Sequence, residues 1–244
     1  MNRTVKLVLD IVMGAVIPIL ILNNLNEQLG QVTTYVIAGL VPVAWVFIDL
    51  LFITKRFNFI TSYVGASAIV RGVLTFWFVD GIQFAFKDTA GFFLTAFIFG
   101  GSMIVGKPIM YYFLVQALGP NTPEQEKSLR ELLHETKVYR SLVNGTIIVL
   151  IVNIVTGVVN FFLNLEIVVA AFGTTEFNQQ VAQVNAITRI ALTIPEFIGF
   201  GIAFVFIYRA MFHYLPKEDG KDQLESDFWD LLKLRETQKT AADL

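Results

Sequence analysis

The chain has 244 residues, of which 55% are hydrophobic and 16% charged, and its formal charge is −2. Ordinary soluble domains carry about 25% charged residues. With a mean hydropathy of +0.63 and 23 phenylalanines, the chain has more apolar surface than a soluble domain of this size can hide, whereas lipid solvates it. It has no cysteine, which excludes disulfides, thiol catalysis and Cys-ligated zinc.

A membrane span needs about 20 apolar residues. Six segments meet this: residues 5–23, 33–53, 58–79, 90–112, 143–163 and 188–210. The basic start, Arg3 and Lys6, is like that of a signal peptide. The apolar run after it is longer than a signal core, however, and NNLNEQLG follows without a small-x-small cleavage site, so a retained first span is expected. Asn23, Asn24, Asn26, Glu27 and Gln28 form a short polar connection that predicts a tight hairpin of spans one and two. Lys55 and Arg56 separate spans two and three. Asp80, Lys87 and Asp88 mark the turn between three and four.

Between spans four and five the sequence predicts an amphipathic helix over residues 122–140. Thr122 with Gln125 fits a capping box, and Pro123 suits the first helical position. Leu129, Leu132 and Leu133 share one face, so the helix is expected at the inner membrane surface, as a connector or as a docking element for a partner. Beyond span five, the segment 164–187 holds no Lys or Arg. Its first part reads as an extension of span five and its last part as an early start of span six, with a turn near Gly173. The tail, residues 216–244, is charged; Leu224, Phe228, Leu231 and Leu232 suit one short amphipathic helix, and disorder is expected for TQKTAADL. Positive charge collects at Arg3, Lys6, Lys55, Arg56, Lys107, between Lys127 and Arg140, and from Arg209 onward, while the outer loops hold only Lys87. This bias predicts both termini in the cytoplasm and an even number of spans. The expected class is therefore an all-α polytopic membrane protein: a six-span domain over residues 1–215 and a cytoplasmic tail over 216–244.

Charge inside a span is costly, about 2.5–3.5 kcal/mol on insertion scales, and usually has a partner. Glu196 follows Pro195 in span six, and Arg71 lies in span three; both fall roughly 20 Å from the inner face at 1.5 Å rise per residue. Asn153, Thr156, Asn160 and Asn164 of span five recur at helical spacing and form one polar face. Arg71, Glu196, Asn153, Thr156 and Asn160 are thus a candidate binding site, with Glu196 as a titratable carboxylate and Arg71 as its counter-charge or an anion anchor. The same residues also fit a buried salt bridge that fixes helix register. A second charged cluster, Asp10, Asp49 and Lys107, lies near the inner boundary, where snorkelling and shallow hydration suffice. His134 and His213 are isolated in sequence, and no HExxH, GxSxG, P-loop or GxGxxG occurs. No metal site, cofactor or catalytic residue is predicted. Basic and acidic residues are interspersed, so no nucleic-acid surface is expected.

VKLVLDIVMGAVIPIL in span one, VPVAWVFIDLLFITKRFNFI around the first basic loop and GSMIVGKPIMYYF in span four resemble a bacterial six-span inner-membrane family of uncharacterised function, catalogued under a locus name. The likeness covers roughly residues 5–215. More distantly, FKDTAGFFLTAFIFGGSMIVGKPI is similar to the Lys-then-Gly-Lys-Pro pattern of intracellular septation protein A. That resemblance implies a membrane partner protein in envelope synthesis and division, not an enzyme. Neither supplies catalytic residues. Together they imply the bacterial inner membrane. The leading expectation is a non-enzymatic integral membrane protein acting through membrane lipids, an envelope protein partner or a homo-oligomer. The alternative is a small-solute or ion transporter using Arg71 and Glu196.

Overall fold

In lipid a backbone must satisfy its own N–H and C=O groups, and long apolar runs do this as helices. The described residues are all-helical, with no strand among them. The computed structural model describes residue 9 and residues 12–54, 59–217 and 226–242. A π-helical turn, Val12–Val16, leads into α1 (Ile17–Asn24), α2 (Asn26–Leu29) and α3 (Gln31–Ile48), which continues as a π-helical segment, Asp49–Thr54. Then follow α4 (Phe59–Thr75), α5 (Gly81–Ile104), α6 (Ile109–Leu118), α7 (Pro123–His134), α8 (Thr136–Ile167), α9 (Thr175–Ala191), α10 (Thr193–Phe212) and α11 (Phe228–Ala242).

Four stretches are long and apolar enough to cross a membrane: Gln31–Ile53, Gly81–Ile104, Thr136–Ile167 and Thr175–Phe212. Predicted spans two, four, five and six fall on these. Predicted spans one and three fall on shorter apolar helices, Val12–Asn24 and Gly65–Thr75.

The chain divides into two compact units. The first comprises residues 1–97 and 152–196. Its hairpin is closed by Gly30, whose φ of +77° ends α2 in a conformation that disfavours other residues. Asn178 of α9 reaches this hairpin, donating to Asn26 Oδ1 at 2.7 Å and to the Gln31 carbonyl at 3.0 Å. Leu22, Tyr35, Phe84, Val168, Phe177 and Val181 form the core beneath. Glycines set the other approaches. A Cβ on Gly39 would stand 2.6 Å from the Thr75 side chain and one on Gly72 3.3 Å from Val43, so α3 and α4 lie nearly in backbone contact. A Cβ on Gly157 would stand 2.8 Å from Phe92 Cβ, which brings α8 equally close to α5.

Lys87 and Asp88 correct the expected outer turn: they lie inside α5, and the turn is confined to residues 76–80. Helix tolerates them because each is satisfied. Lys87 is 6% exposed. It donates to the Tyr35 hydroxyl and, at 2.9 Å, to the Trp77 carbonyl, and it sits 4.6 Å and 5.0 Å from the ring centroids of Tyr35 and Phe84. Asp80, in the turn, accepts from the Phe172 N–H at 3.1 Å.

The second unit comprises residues 98–151 and 197–244. It corrects the expected fourth span over 90–112. Helix α5 stops at Ile104 and α6 starts at Ile109, because Gly106 takes φ +68° and Pro108 has no N–H to continue the ladder. Ser102 bridges the break, donating to the Phe99 carbonyl at 2.6 Å and accepting from Ile109 N–H at 3.1 Å. The amphipathic helix is also shorter than the expected 122–140. It ends at His134, where Glu135 turns extended with ψ 136°, and α8 begins at Thr136. The cap forms as read: Thr122 Oγ1 accepts from Gln125 N–H at 3.2 Å, while the Gln125 side chain accepts from Asn121 N–H at 2.8 Å. Leu129, Leu132 and Leu133 are fully buried, as are Leu231 and Leu232 of α11, and the two helices pack together. Arg235 pairs with Glu135, and Lys239 with Glu131 at 3.2 Å. The end of the tail, TQKTAADL, expected to be disordered, is helical as far as Ala242.

Candidate functional site

The polar face of α8 organises the site, which lies within the first unit. Asn153, Thr156, Asn160 and Asn164 are all buried. Helical spacing alone puts them in one row, and the apolar remainder of α8 turns that row toward protein. Two carboxylates dock on it. Asp88 Oδ2 accepts from Asn160 Nδ2 at 3.1 Å and from Asn164 Nδ2 at 2.9 Å. Glu196 Oε1 lies 3.4 Å from Thr156 Oγ1, whose single proton the Val152 and Asn153 carbonyls also attract, each at 3.0 Å. The two docking points are four to eight residues apart on α8, about 6–12 Å along its axis.

Glu196 owes its place to Pro195. Lacking an N–H, Pro195 cannot close on the Ala191 carbonyl. The helix is interrupted at Leu192, and Glu196 becomes a first-turn residue of α10. A carboxylate there is favoured by the helix macrodipole.

Two guanidinium groups complete the cluster. Arg71, on α4, lies across α5 at Gly91, one turn beyond Asp88. A Cβ on Gly91 would stand 3.0 Å from Arg71 Nη2 and 3.1 Å from Nε, so the guanidinium lies against α5 where the glycine leaves it room. Arg189, on α9, donates to the Gly14 carbonyl at 2.9 Å. Pro18 has no N–H to offer that carbonyl four residues back, and the arginine caps it instead. Arg189 lies within electrostatic reach of Arg71, Asp88 and Glu196, and Glu196 within reach of Arg71. Arg71, Asp88 and Arg189 are exposed, and Glu196 is half-buried.

The hydrogen-bonding capacity of these groups is filled unequally. Asp88 and Glu196 are held by neutral donors. Among the described residues no ion pair of 4.0 Å or less joins Arg71 to Glu196, and Arg71 donates no hydrogen bond. Among the described residues Arg189 uses one of its five N–H groups. Buried Asn153 Oδ1 and Asn164 Oδ1 also lack partners among the described residues.

The structure thus brings Arg71, Glu196, Asn153, Thr156 and Asn160 into one unit, and adds Asp88, Arg189 and Gly91, which sequence reasoning missed. Asp88 was hidden by its charged neighbour Lys87, which made the pair look like a loop; Gly91 in register with Asp88 was the available signal. Of the second cluster, Asp10 lies outside the described residues. Asp49 opens the π-helical segment of the first unit, and Lys107 sits exposed in the α5–α6 break of the second. Among the described residues no group of three or more His, Cys, Asp or Glu side chains is placed to hold a metal ion. No family model, no curated protein and no solved structure matches the chain.

Proposed function

We propose that the protein is a six-span inner-membrane protein, with both termini cytoplasmic, that binds and moves a small polar solute through the cluster of Arg71, Asp88, Arg189 and Glu196. One observation carries this reading: the four charges gather in one unit without pairing off. A structural salt bridge calls for Arg71 and Glu196 in contact, since a buried ion pair holds only when geometry and hydrogen bonds are complete. Here each carboxylate is held by a neutral side chain, and the guanidinium groups keep open donors. Left against lipid, three exposed charges would cost about 8–10 kcal/mol in all on insertion scales. Water or a polar ligand on that face removes the cost. The interruption ahead of Glu196 also matches how transporters place irregular backbone beside a site.

The orientation rests on the positive-charge bias, which grows once Lys87 is counted inside α5 and not in an outer loop. A scaffold role through the amphipathic helix has less support, because Leu129, Leu132 and Leu133 of α7 and Leu231 and Leu232 of α11 are already buried within the chain.

The test is uptake into proteoliposomes from a defined mixture of amino acids, carboxylates, sugar phosphates, polyols and alkali cations, read by mass spectrometry. Saturable uptake of one class, lost in Glu196→Gln, is expected. Uptake equal to that of empty liposomes for every class, together with an Arg71→Met/Glu196→Met double variant as stable as the parent, would overturn the proposal in favour of a structural role.

A further inference from the structure

We infer that the ligand of this cluster is an oxyanion, a carboxylate or a phosphate, clamped between Arg71 and Arg189. The inference rests on the solute-site reading and names the chemistry of what enters it.

The argument is a donor–acceptor balance. The carboxylates are partly served: Asp88 Oδ2 takes two amide N–H groups, and Glu196 Oε1 lies 3.4 Å from the Thr156 hydroxyl. The larger open capacity is on the donors: among the described residues Arg71 donates no hydrogen bond and Arg189 one, to a backbone carbonyl. A guanidinium presents its N–H groups as a planar fork that matches two oxygens of one carboxylate or phosphate. A cation would be repelled by the two arginines.

The two arginines balance Asp88 and Glu196 in charge, and the Lys87 ammonium is turned to Tyr35 and Trp77. Gly91 supplies an independent observation. A Cβ there would stand 3.0 Å from the Arg71 guanidinium, so the glycine gives it room beside Asp88. Buried Asn153 Oδ1 and Asn164 Oδ1 are acceptors without donors. They suit a ligand that also carries hydroxyl or ammonium groups, allowing for either orientation of the amides.

The same chemistry is offered by a free anion and by the head group of an anionic phospholipid. Binding is therefore measured on the full chain in nanodiscs of phosphatidylcholine with inorganic phosphate, succinate, glycerol 3-phosphate, glucose and choline as soluble probes. Native mass spectrometry with added phosphatidylglycerol is run in parallel. The expected result is saturable binding of phosphate, succinate or glycerol 3-phosphate. Arg71→Gln and Arg189→Gln weaken it by about 30-fold or more, the loss typical of truncating one partner of a desolvated charge contact. Gly91→Ala keeps both arginines and a sound helix, so it tests that room even if an arginine variant fails to fold; binding weakens there too. Phosphatidylglycerol adducts alone, lost in the same variants, place the oxyanion on a lipid. Binding of glucose or choline with no anion bound overturns this inference and leaves the solute site standing. No binding of any probe, soluble or lipid, overturns both.

Discussion

Gly157→Ala tests the helix packing that builds the site. The added methyl would stand 2.8 Å from Phe92 Cβ and 3.2 Å from its Cγ. Phe92 Cβ is fixed to the backbone, so no rotamer change clears it and α8 must move away from α5. Alanine is about 1 kcal/mol better than glycine within a helix, while overpacking of this kind costs about 1–3 kcal/mol. The balance is a net loss of up to about 2 kcal/mol. A secondary effect follows, because the same displacement draws Asn160 and Asn164 away from Asp88 and weakens anion binding. Stability is read from denaturant midpoints in mixed micelles, with unfolding followed by tryptophan fluorescence. A midpoint equal to or above the parent's, with anion binding intact, would refute the reasoning, since alanine's helix propensity would then be the whole effect. Gly91→Ala is the matched control. Its neighbour is the flexible end of Arg71, so the chain should gain up to about 1 kcal/mol of stability while binding falls.

The other predictions concern the supports of the site and of the second unit. Tyr35→Phe removes a hydroxyl that accepts from buried Lys87; a loss of about 1–3 kcal/mol is expected in the same micelle assay, and an unchanged midpoint would mean the ammonium has another acceptor. Leu132→Ala empties a fully buried position of α7, the helix that α11 packs on; about 2–5 kcal/mol should be lost, read as faster proteolysis of the C-terminal helix, and parent-like cleavage would count against that packing. Thr122→Ala removes the cap of α7 and should cost about 1 kcal/mol, visible as faster amide exchange over residues 124–126; unchanged exchange there would count against the cap.

The row of Asn153, Thr156, Asn160 and Asn164 was legible in the sequence because helical periodicity stands out against an otherwise apolar segment. The end of α8 and the turn near Gly173 were legible for a related reason: polar residues return only after the apolar run closes, and Gly173 takes φ +87°. The interruption before Glu196 followed from Pro195. Asp88 was not legible as a site residue. Hydropathy treats a Lys–Asp pair as solvent-facing, and nothing local shows that Tyr35, fifty-two positions earlier, and Asn164, seventy-six positions later, satisfy the two charges. Nor could depth reveal azimuth: Arg71 and Glu196 share a level in the sequence reading, yet each turns to a different neighbour. The length of the amphipathic helix was missed because Glu135 breaks the helix without glycine or proline to announce it.

The contact between Arg189 and the Gly14 carbonyl makes one side chain a tether as well as a site residue. Pro18 offers that carbonyl no N–H four residues on, so the guanidinium ties the turn Val12–Val16 to α9. Loss of the arginine therefore takes away a backbone partner, at about 1–3 kcal/mol if the carbonyl stays away from water, together with a charge of the site, and the start of the first helix feels a change made at residue 189.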